Sequence, residues 1–164
     1  MVYNCPKNEA YLACFSYIFI VGLQIIIYDG SIFMGHLKNK SELSFGAAEL
    51  LHQYSYFSSV VHCAYYSCIQ LMKHTWLNSM GKSENDLRNL NNISSQGSHE
   101  VLINQIKIFI QSKSQNGSVF NRDILQLKRL RVMADYDEIS IDFTKSNESI
   151  LLSKSALNIL KKCI

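Results

Sequence analysis

The sequence predicts an all-α protein, and three observations favour that class. Proline occurs once and glycine seven times in 164 residues, so few residues would interrupt long helices. Apolar residues recur at intervals of three and four over most of the chain after residue 40, which is the spacing of one helix face. Polar stretches separate these periodic segments. We therefore expect an up-and-down bundle of four to five helices.

The first two helices of the bundle are predicted to form an antiparallel hairpin. One begins at the N-cap Ser41 and ends near Gln53. Its predicted inner face consists of Leu43, Ala47, Leu50 and Leu51. The other spans Phe57 to Asn78, and its apolar stripe consists of Val61, Tyr65, Cys68, Ile69, Met72 and Trp76. Only a few residues join the two helices, so we expect them to lie side by side.

Two more helices are predicted beyond a long polar segment. Residues Gly81 to Gly97 lack helical periodicity and are interpreted as a loop. Ser98 is predicted to cap a third helix, whose inner face is Val101, Leu102, Ile106, Phe109 and Ile110. A fourth helix is expected from about Asn121 to Ala134, with the stripe Ile124, Leu127, Leu130 and Ala134.

The C-terminal part of the bundle is predicted to contain one extended segment and one helix. Residues 139–143 alternate between apolar and polar, which indicates an extended segment lying across the bundle. A last helix from about Asn147 to Lys162 is expected to bury Ile150, Leu151, Leu157 and Leu160, with Ile159 at the edge of that face.

Residues 1–36 differ in character from the predicted bundle at 37–164. Tyr11 to Tyr28 is an uncharged, strongly apolar run of 18 residues, at the lower limit of transmembrane length. Three interpretations fit it. The run is a membrane anchor that leaves the bundle in the cytoplasm, or an additional apolar helix, or upstream sequence that is not natively translated, with Met34 as the start.

Charge and cysteine content narrow the function classes. Sixteen basic and 13 acidic residues give a net charge of +3, too even a balance to indicate nucleic-acid binding by itself. The five cysteines have neither an even count nor the spacing of metal ligands. We expect reduced thiols in a cytoplasmic protein, with no metal site and no cofactor.

The chain has one concentrated group of candidate binding residues, near the end of the fourth helix. Arg131 and Asp135 are four positions apart, so they share a helix face, and Tyr136 lies beside them. Tyr65 and Tyr66 in the second helix offer hydroxyls and ring faces. Two structural interpretations stay open. Arg131 and Asp135 would also serve as an ion pair that fixes helix register. Tyr65 and Tyr66 would also serve as core residues with polar tips.

From about Leu37 to Lys162 the chain resembles the HEPN superfamily. Four motifs carry the resemblance: Ala47-Ala48-Glu49-Leu50-Leu51, Ala64-Tyr65-Tyr66, Ser98-His99 and Arg131-x-x-Ala134-Asp135-Tyr136. The resemblance implies a helical bundle of a prokaryotic toxin-antitoxin or defence system, often encoded beside a minimal nucleotidyltransferase partner and usually a homodimer. It further implies nucleotide or RNA binding, for which the candidate residues are Tyr65, Tyr66, Arg131, Asp135 and Tyr136.

Catalysis is the point at which the sequence departs from that family. Its active members resemble metal-independent ribonucleases with an Arg-x4-6-His motif, in which guanidinium stabilises the phosphate and imidazole moves a proton. No arginine of this chain has a histidine in that window, and all five histidines precede Arg122. The leading hypothesis is therefore a nucleotide-, RNA- or partner-binding module. The alternative is a divergent metal-independent endoribonuclease that uses Arg131 with His99 or His62, brought near by folding.

Overall fold

The computed structural model describes residues 36–164 and is helical throughout this range, without a β-strand. Its six helices are α1 (His36–Gln53), α2 (Phe57–His74), α3 (Glu84–Ile93), α4 (Ser98–Ser112), α5 (Gly117–Tyr136) and α6 (Phe143–Lys161). A π-helical turn, Thr75–Ser79, continues α2. The all-α class is confirmed, with one helix more than predicted. The apolar segment interpreted as an anchor, extra helix or untranslated sequence lies outside the described residues.

Helix α2 is the centre of the bundle and contacts α1, α4, α5 and α6. Its predicted stripe is confirmed, because all six members are buried: Val61, Tyr65, Cys68, Ile69, Met72 and Trp76. The predicted hairpin of α1 and α2 is also confirmed, since residues 54–56 join two helices that pack along each other. The spacing of these large apolar side chains was therefore sufficient to predict which face of α2 is buried.

Helix α1 differs from its prediction in both its start and its packed face. It begins at His36, so Ser41 is a buried residue of the helix interior and not the N-cap. Leu43 is 73% exposed and Leu50 47% exposed, whereas Ala48 is fully buried. The face that meets the bundle is lined by small side chains, which permit close helix packing. The predicted inner face is therefore wrong for Leu43 and Leu50, whereas Ala47 and Leu51 are partly buried.

The segment predicted as a loop contains helix α3. Its start is a capping box, in which the Asp86 N–H donates to Ser83 Oγ at 3.1 Å and the Ser83 N–H donates to Asp86 Oδ2 at 2.7 Å. Leu87 is the one residue of α3 that is buried. A helix with so little apolar surface has no detectable stripe, which explains why the loop prediction was wrong.

Helices α4 and α5 follow their predicted stripes but not their predicted starts. The N-cap of α4 is Gly97, which makes no side-chain cap hydrogen bond, so Ser98 is the first helical residue and not the cap. Helix α5 begins at Gly117, and the Asn116 side chain caps it by accepting from the Val119 N–H at 3.0 Å. The buried stripe residues are Val101, Leu102, Ile106, Ile110, Ile124, Leu127 and Leu130. Phe109 and Ala134 are partly buried.

Helix α6 packs through small residues and follows an irregular connection. The residues expected to be extended form no strand, but Ile141 is buried in a cluster with Val61 and Leu130. Helix α6 begins earlier than predicted, at Phe143. Its packed face contains Ser146, Ser149, Ser153, Ala156, Leu157 and Leu160. Leu157 and Leu160 were predicted correctly, Ile150 and Ile159 are partly buried, and Leu151 is 58% exposed, so its predicted burial is wrong.

Candidate functional site

The residues singled out in the sequence lie together where α2, the start of α4 and the end of α5 meet. The apolar contact between Val61 and Leu130, joined by Phe57 and Met133, holds α2 against α5. One turn further along each helix, polar side chains replace the apolar ones. We call this group the Arg131 cluster, and its members are His62, Tyr65, Tyr66, His99, Arg131, Asp135 and Tyr136.

Asp135 lies between a guanidinium and an imidazole. Its Oδ2 is 2.8 Å from Arg131 Nε, and its Oδ1 is 3.6 Å from His62 Nδ1. The contact with Arg131 is an ion pair without good hydrogen-bond geometry. The predicted helical pairing of Arg131 with Asp135 is therefore present, and His62 from α2 adds a third member that no sequence spacing indicated.

Two tyrosine rings flank the Arg131 guanidinium. Its Cζ lies 5.8 Å from the centre of the Tyr66 ring and 5.5 Å from that of Tyr136, both within cation–π distance. Its Nη2 donates to Tyr66 Oη at 3.5 Å, a long hydrogen bond. Burial lowers the pKa of Arg131, but Asp135 and then the two tyrosines raise it by more, so the net shift is upward. The side chain remains a cation at any physiological pH.

Tyr136 and Asp135 are the exposed residues of the cluster, and His62 is partly exposed. The Tyr136 residue is 73% exposed, and the His62 side chain is 32% exposed against 19% for Arg131. The His62 ring stacks on Tyr66 with 4.5 Å between ring centres and 33° between planes. A ligand that approaches the cluster from solvent would therefore meet a phenol and an imidazole before it reaches the guanidinium.

The inner part of the cluster is a hydrogen bond between Tyr65 and His99. Tyr65 Oη lies 3.0 Å from His99 Nδ1. Tyr65 is buried, and desolvation, followed by the neighbouring Tyr66, raises the pKa of its phenol well above the usual range. Burial also lowers the pKa of His99, and the positive charges of Arg131 and Lys128 lower it further. A neutral phenol therefore meets a neutral imidazole, and either can donate.

The charges around the cluster are balanced. Arg131 pairs with Asp135, and Lys128 Nζ lies 3.3 Å from Glu100 Oε2. Each cation therefore has an anion of this chain beside it, and the cluster lacks the row of unpaired cations that binds a nucleic-acid backbone. Balanced charge favours a small ligand, or a few nucleotides, recognised by stacking and directed hydrogen bonds.

All seven candidate residues lie in the cluster, but they do not share one environment. Tyr65 is 1% exposed and packs as a core residue with a polar tip. His62 lies 3.6 Å from Asp135, which pairs with Arg131. The His99 ring centre is 6.0 Å from that of Tyr66, whose ring also lies near the guanidinium.

Sequence reasoning missed a cleft next to the cluster. It has a volume of about 170 Å³ and is lined by residues of α2, α3 and α4, among them Lys73, Arg88, Asn91 and His99. The cleft exists because α3 covers the start of α4. The Ser83-x-x-Asp86 pattern was the available signal, since it is a capping box and would have predicted α3.

Two features are absent from residues 36–164. No helix there combines the length and apolar character needed to cross a bilayer. No group of histidine, cysteine and carboxylate side chains there is arranged to hold a metal ion. Comparisons with protein-family models, with curated proteins and with solved structures gave no match.

Proposed function

We propose that the chain is a HEPN-like binding module that recognises a nucleotide or a short stretch of RNA at the Arg131 cluster. In this proposal it acts in a prokaryotic toxin-antitoxin or defence system with a minimal nucleotidyltransferase as partner. The observation that carries the binding function is the placement of Arg131 within cation–π distance of two tyrosine rings, with Asp135 paired with its Nε. The family and the partner rest on the four sequence motifs.

The cluster offers the three kinds of contact that nucleotides use. The exposed ring of Tyr136 provides a stacking surface for a base, and such stacking tolerates any base. The Nη groups of Arg131 can donate in a fork to phosphate or to a base edge, because Asp135 contacts the guanidinium through Nε. Asp135 can accept from an amino group. A nucleotide therefore fits the chemistry better than a simple anion does.

An apolar surface beside the cluster supports a protein partner or a second copy of the chain. The end of α5 and the start of α6 carry four exposed apolar side chains: Val132, Tyr136, Ile139 and Phe143. They follow one another over a short stretch of chain and include the stacking residue. Occupation of this surface by a partner would also cover the ligand, so binding of ligand and binding of partner would be coupled.

The alternative function, a metal-independent endoribonuclease, is favoured by one specific contact. Asp135 touches both Arg131 and His62, so a carboxylate orients an imidazole next to a guanidinium. In RNA cleavage His62 would accept the proton of a ribose 2′-hydroxyl, the 2′-oxygen would bond to phosphorus, and the 5′-oxygen would leave and take a proton from water, while Arg131 stabilises charge on the phosphate. His99 is the weaker candidate for the base, since its Nδ1 is hydrogen-bonded to the hydroxyl of the buried Tyr65.

The test of both functions is a binding and cleavage assay on the full chain. Fluorescence anisotropy with a labelled single-stranded RNA and calorimetry with AMP would measure binding, and gel analysis in EDTA would measure cleavage. Arg131→Ala should weaken binding by about tenfold or more. The exposed Arg129→Ala on the same helix is the matched control and should bind normally.

The outcomes of this assay separate the two functions. Binding without cleavage supports the binding module. Cleavage in EDTA that disappears in both Arg131→Ala and His62→Gln would establish the nuclease instead. Equal binding by Arg131→Ala and the intact chain would reject the cluster as a ligand site. An adjacent nucleotidyltransferase gene, followed by co-purification of the two products, is the corresponding test of the partner.

A further inference from the structure

The Asp135 carboxylate can still accept hydrogen bonds from a ligand, although it is paired with Arg131. Its Oδ2 is 2.8 Å from Arg131 Nε, and this ion pair restrains the carboxylate. Its Oδ1 is 3.6 Å from His62 Nδ1, which is too long for a hydrogen bond. The two oxygens of a carboxylate have about four lone-pair positions. A ligand that meets Asp135 from solvent should therefore carry hydrogen-bond donors.

The charges beside Arg131 disfavour recognition of a ligand through its phosphate alone. Asp135, Asp137 and Glu138 place three carboxylates within four consecutive positions. All three residues are exposed, and the only cation paired with them is Arg131, at Asp135. A phosphate at this end of α5 would approach more negative than positive charge. The edge of a base carries no net charge and does not meet this repulsion.

The exposed ring of Tyr136 brings a stacked base next to both members of the ion pair. The Arg131 Cζ is 5.5 Å from the centre of that ring, and Asp135 is its neighbour in sequence. A base lying on Tyr136 would therefore have the guanidinium and the carboxylate at its edge. Stacking tolerates every base, so any choice among bases depends on the hydrogen bonds made at that edge.

The four bases of RNA differ in what they offer a carboxylate. Guanine presents two neighbouring donors, N1–H and the N2 amino group, and its O6 beside them accepts from a guanidinium. Adenine and cytosine each place a ring-nitrogen acceptor next to the amino group, so one lone pair would face the carboxylate. Uracil has one donor between two carbonyl oxygens. A carboxylate beside a guanidinium therefore matches guanine better than the other three bases.

We propose that the Arg131 cluster selects guanine. Asp135 accepts from the guanine N1–H and N2 amino group, Arg131 donates to O6, and the base lies on the Tyr136 ring. This inference rests on the proposed nucleotide binding at the cluster and names the base that is bound. Asp135 thereby becomes the residue that determines specificity, whereas Tyr136 contributes affinity for any base.

The test compares the four nucleoside monophosphates on the full chain. Calorimetry at fixed ionic strength would measure GMP, AMP, CMP and UMP, which share one phosphate and differ in the base, and inorganic phosphate would measure the phosphate alone. We expect GMP to bind about tenfold or more tightly than the other three nucleotides. Inorganic phosphate that binds as tightly as GMP would overturn the proposal.

A conservative substitution tests the role of Asp135. Asp135→Asn keeps the shape of the side chain but replaces one acceptor oxygen with an NH₂ donor, so GMP should bind only as weakly as AMP does. The matched variant Asp137→Asn changes the net charge equally at a neighbouring exposed carboxylate and should keep the preference for GMP. A preference that survives in Asp135→Asn would overturn the proposal.

A change in the ligand gives a second measurement that does not depend on the folding of a variant. IMP lacks the N2 amino group of GMP and is otherwise the same, so it should bind the intact chain about fivefold or more weakly. Equal binding of IMP and GMP, or of all four nucleotides, would overturn guanine selection but leave nucleotide binding in place. Absence of binding by every nucleotide would reject the proposed function, and guanine selection with it.

Discussion

The two ends of helix α5 each carry an ion pair between arginine and aspartate, but the two pairs differ in how their partners are buried. Near the start, the Asp123 side chain is 2% exposed and its partner Arg122 is 71% exposed. Near the end, Arg131 and Asp135 are buried to a similar extent, with side chains 19% and 22% exposed. In the first pair the anion is fixed inside the protein, and in the second the cation lies among aromatic rings.

This difference separates a structural site from a candidate binding site. Asp123 accepts from Ser155 Oγ at 2.6 Å and from Arg122 Nε at 2.9 Å, so the carboxylate is satisfied within the chain and solvent cannot reach it. Arg131 instead retains Nη groups near the exposed Tyr136 ring, where a ligand could accept from them. The same pair of residue types thus joins α5 to α6 at one end and leaves a recognition surface at the other.

The largest expected effect is a loss of stability when the buried Asp123 carboxylate is removed. Asp123→Ala removes the acceptor of the partly buried Ser155 hydroxyl and leaves a cavity, so it should lower the free energy of unfolding by about 2–3 kcal/mol. Asp135→Ala breaks a partly exposed pair and should cost about 1 kcal/mol or less. Urea unfolding of the full chain measures both. Equal losses would remove the distinction between the two ends of α5.

The next effect concerns the guanidinium between the rings. Arg131→Ala should lower the free energy of unfolding by about 1–2 kcal/mol, because it removes two cation–π contacts and the ion pair. Arg129→Ala, on the exposed side of α5, should change it by less than about 0.5 kcal/mol. Urea unfolding distinguishes these values, and a neutral Arg131→Ala would show that the rings and the guanidinium do not interact.

A smaller stability effect is expected at the exposed ring. Tyr136→Ala should lower the free energy of unfolding by about 0.5–1 kcal/mol, because a largely exposed ring contributes little beyond its cation–π contact. Its effect on AMP or RNA affinity should exceed its effect on stability if Tyr136 stacks on a base. Calorimetry paired with urea unfolding compares the two. A stability loss without an affinity loss would make Tyr136 structural.

The smallest expected effect is a pH dependence of the stability of the chain, and it arises from His99. Its pKa in the folded chain lies below its ordinary value of 6.5, because of burial and then of nearby positive charges, so the unfolded chain binds the proton more readily. The contribution of His99 to stability is therefore complete above about pH 6.5 and decreases as pH falls below it. Unfolding at pH 5.0 and 7.5 should show a smaller difference in His99→Gln than in the intact chain.

The exposed His36→Gln is the control for that measurement, and its pH dependence should match that of the intact chain. If His99→Gln also matches, protonation of His99 does not oppose folding. In that case the imidazole is more accessible than its contact with Tyr65 indicates, and it becomes a stronger candidate for proton transfer.

How much of the fold could be predicted depends on which side chains pack. The stripe of α2 was found because its members are large and apolar. Leu157 and Leu160 on the packed face of α6 were predicted, but the small buried residues Ser41, Ala48, Ser146 and Ser153 of α1 and α6 were missed, because small residues give no apolar stripe. Helix α3 was missed because its stability depends on a cap and one buried leucine.

The candidate site was predictable only within single helices. The pairing of Arg131 with Asp135 follows from a separation of four residues. The contact of His62 with Asp135 joins α2 to α5, and that of Tyr65 with His99 joins α2 to α4. Both contacts depend on how the helices pack against each other. The spacing of residues within one helix does not specify which residues of another helix they will contact.

The thiol of Cys68 offers a way to measure how often the bundle opens. It is fully buried between α2 and α6, where its Sγ lies 3.8 Å from the Ser153 carbonyl oxygen, and burial raises its pKa to about 12. Alkylating reagents attack the thiolate, so this cysteine reacts only when the two helices separate. The rate of its modification, followed by mass spectrometry, would report the frequency of that separation in the native chain.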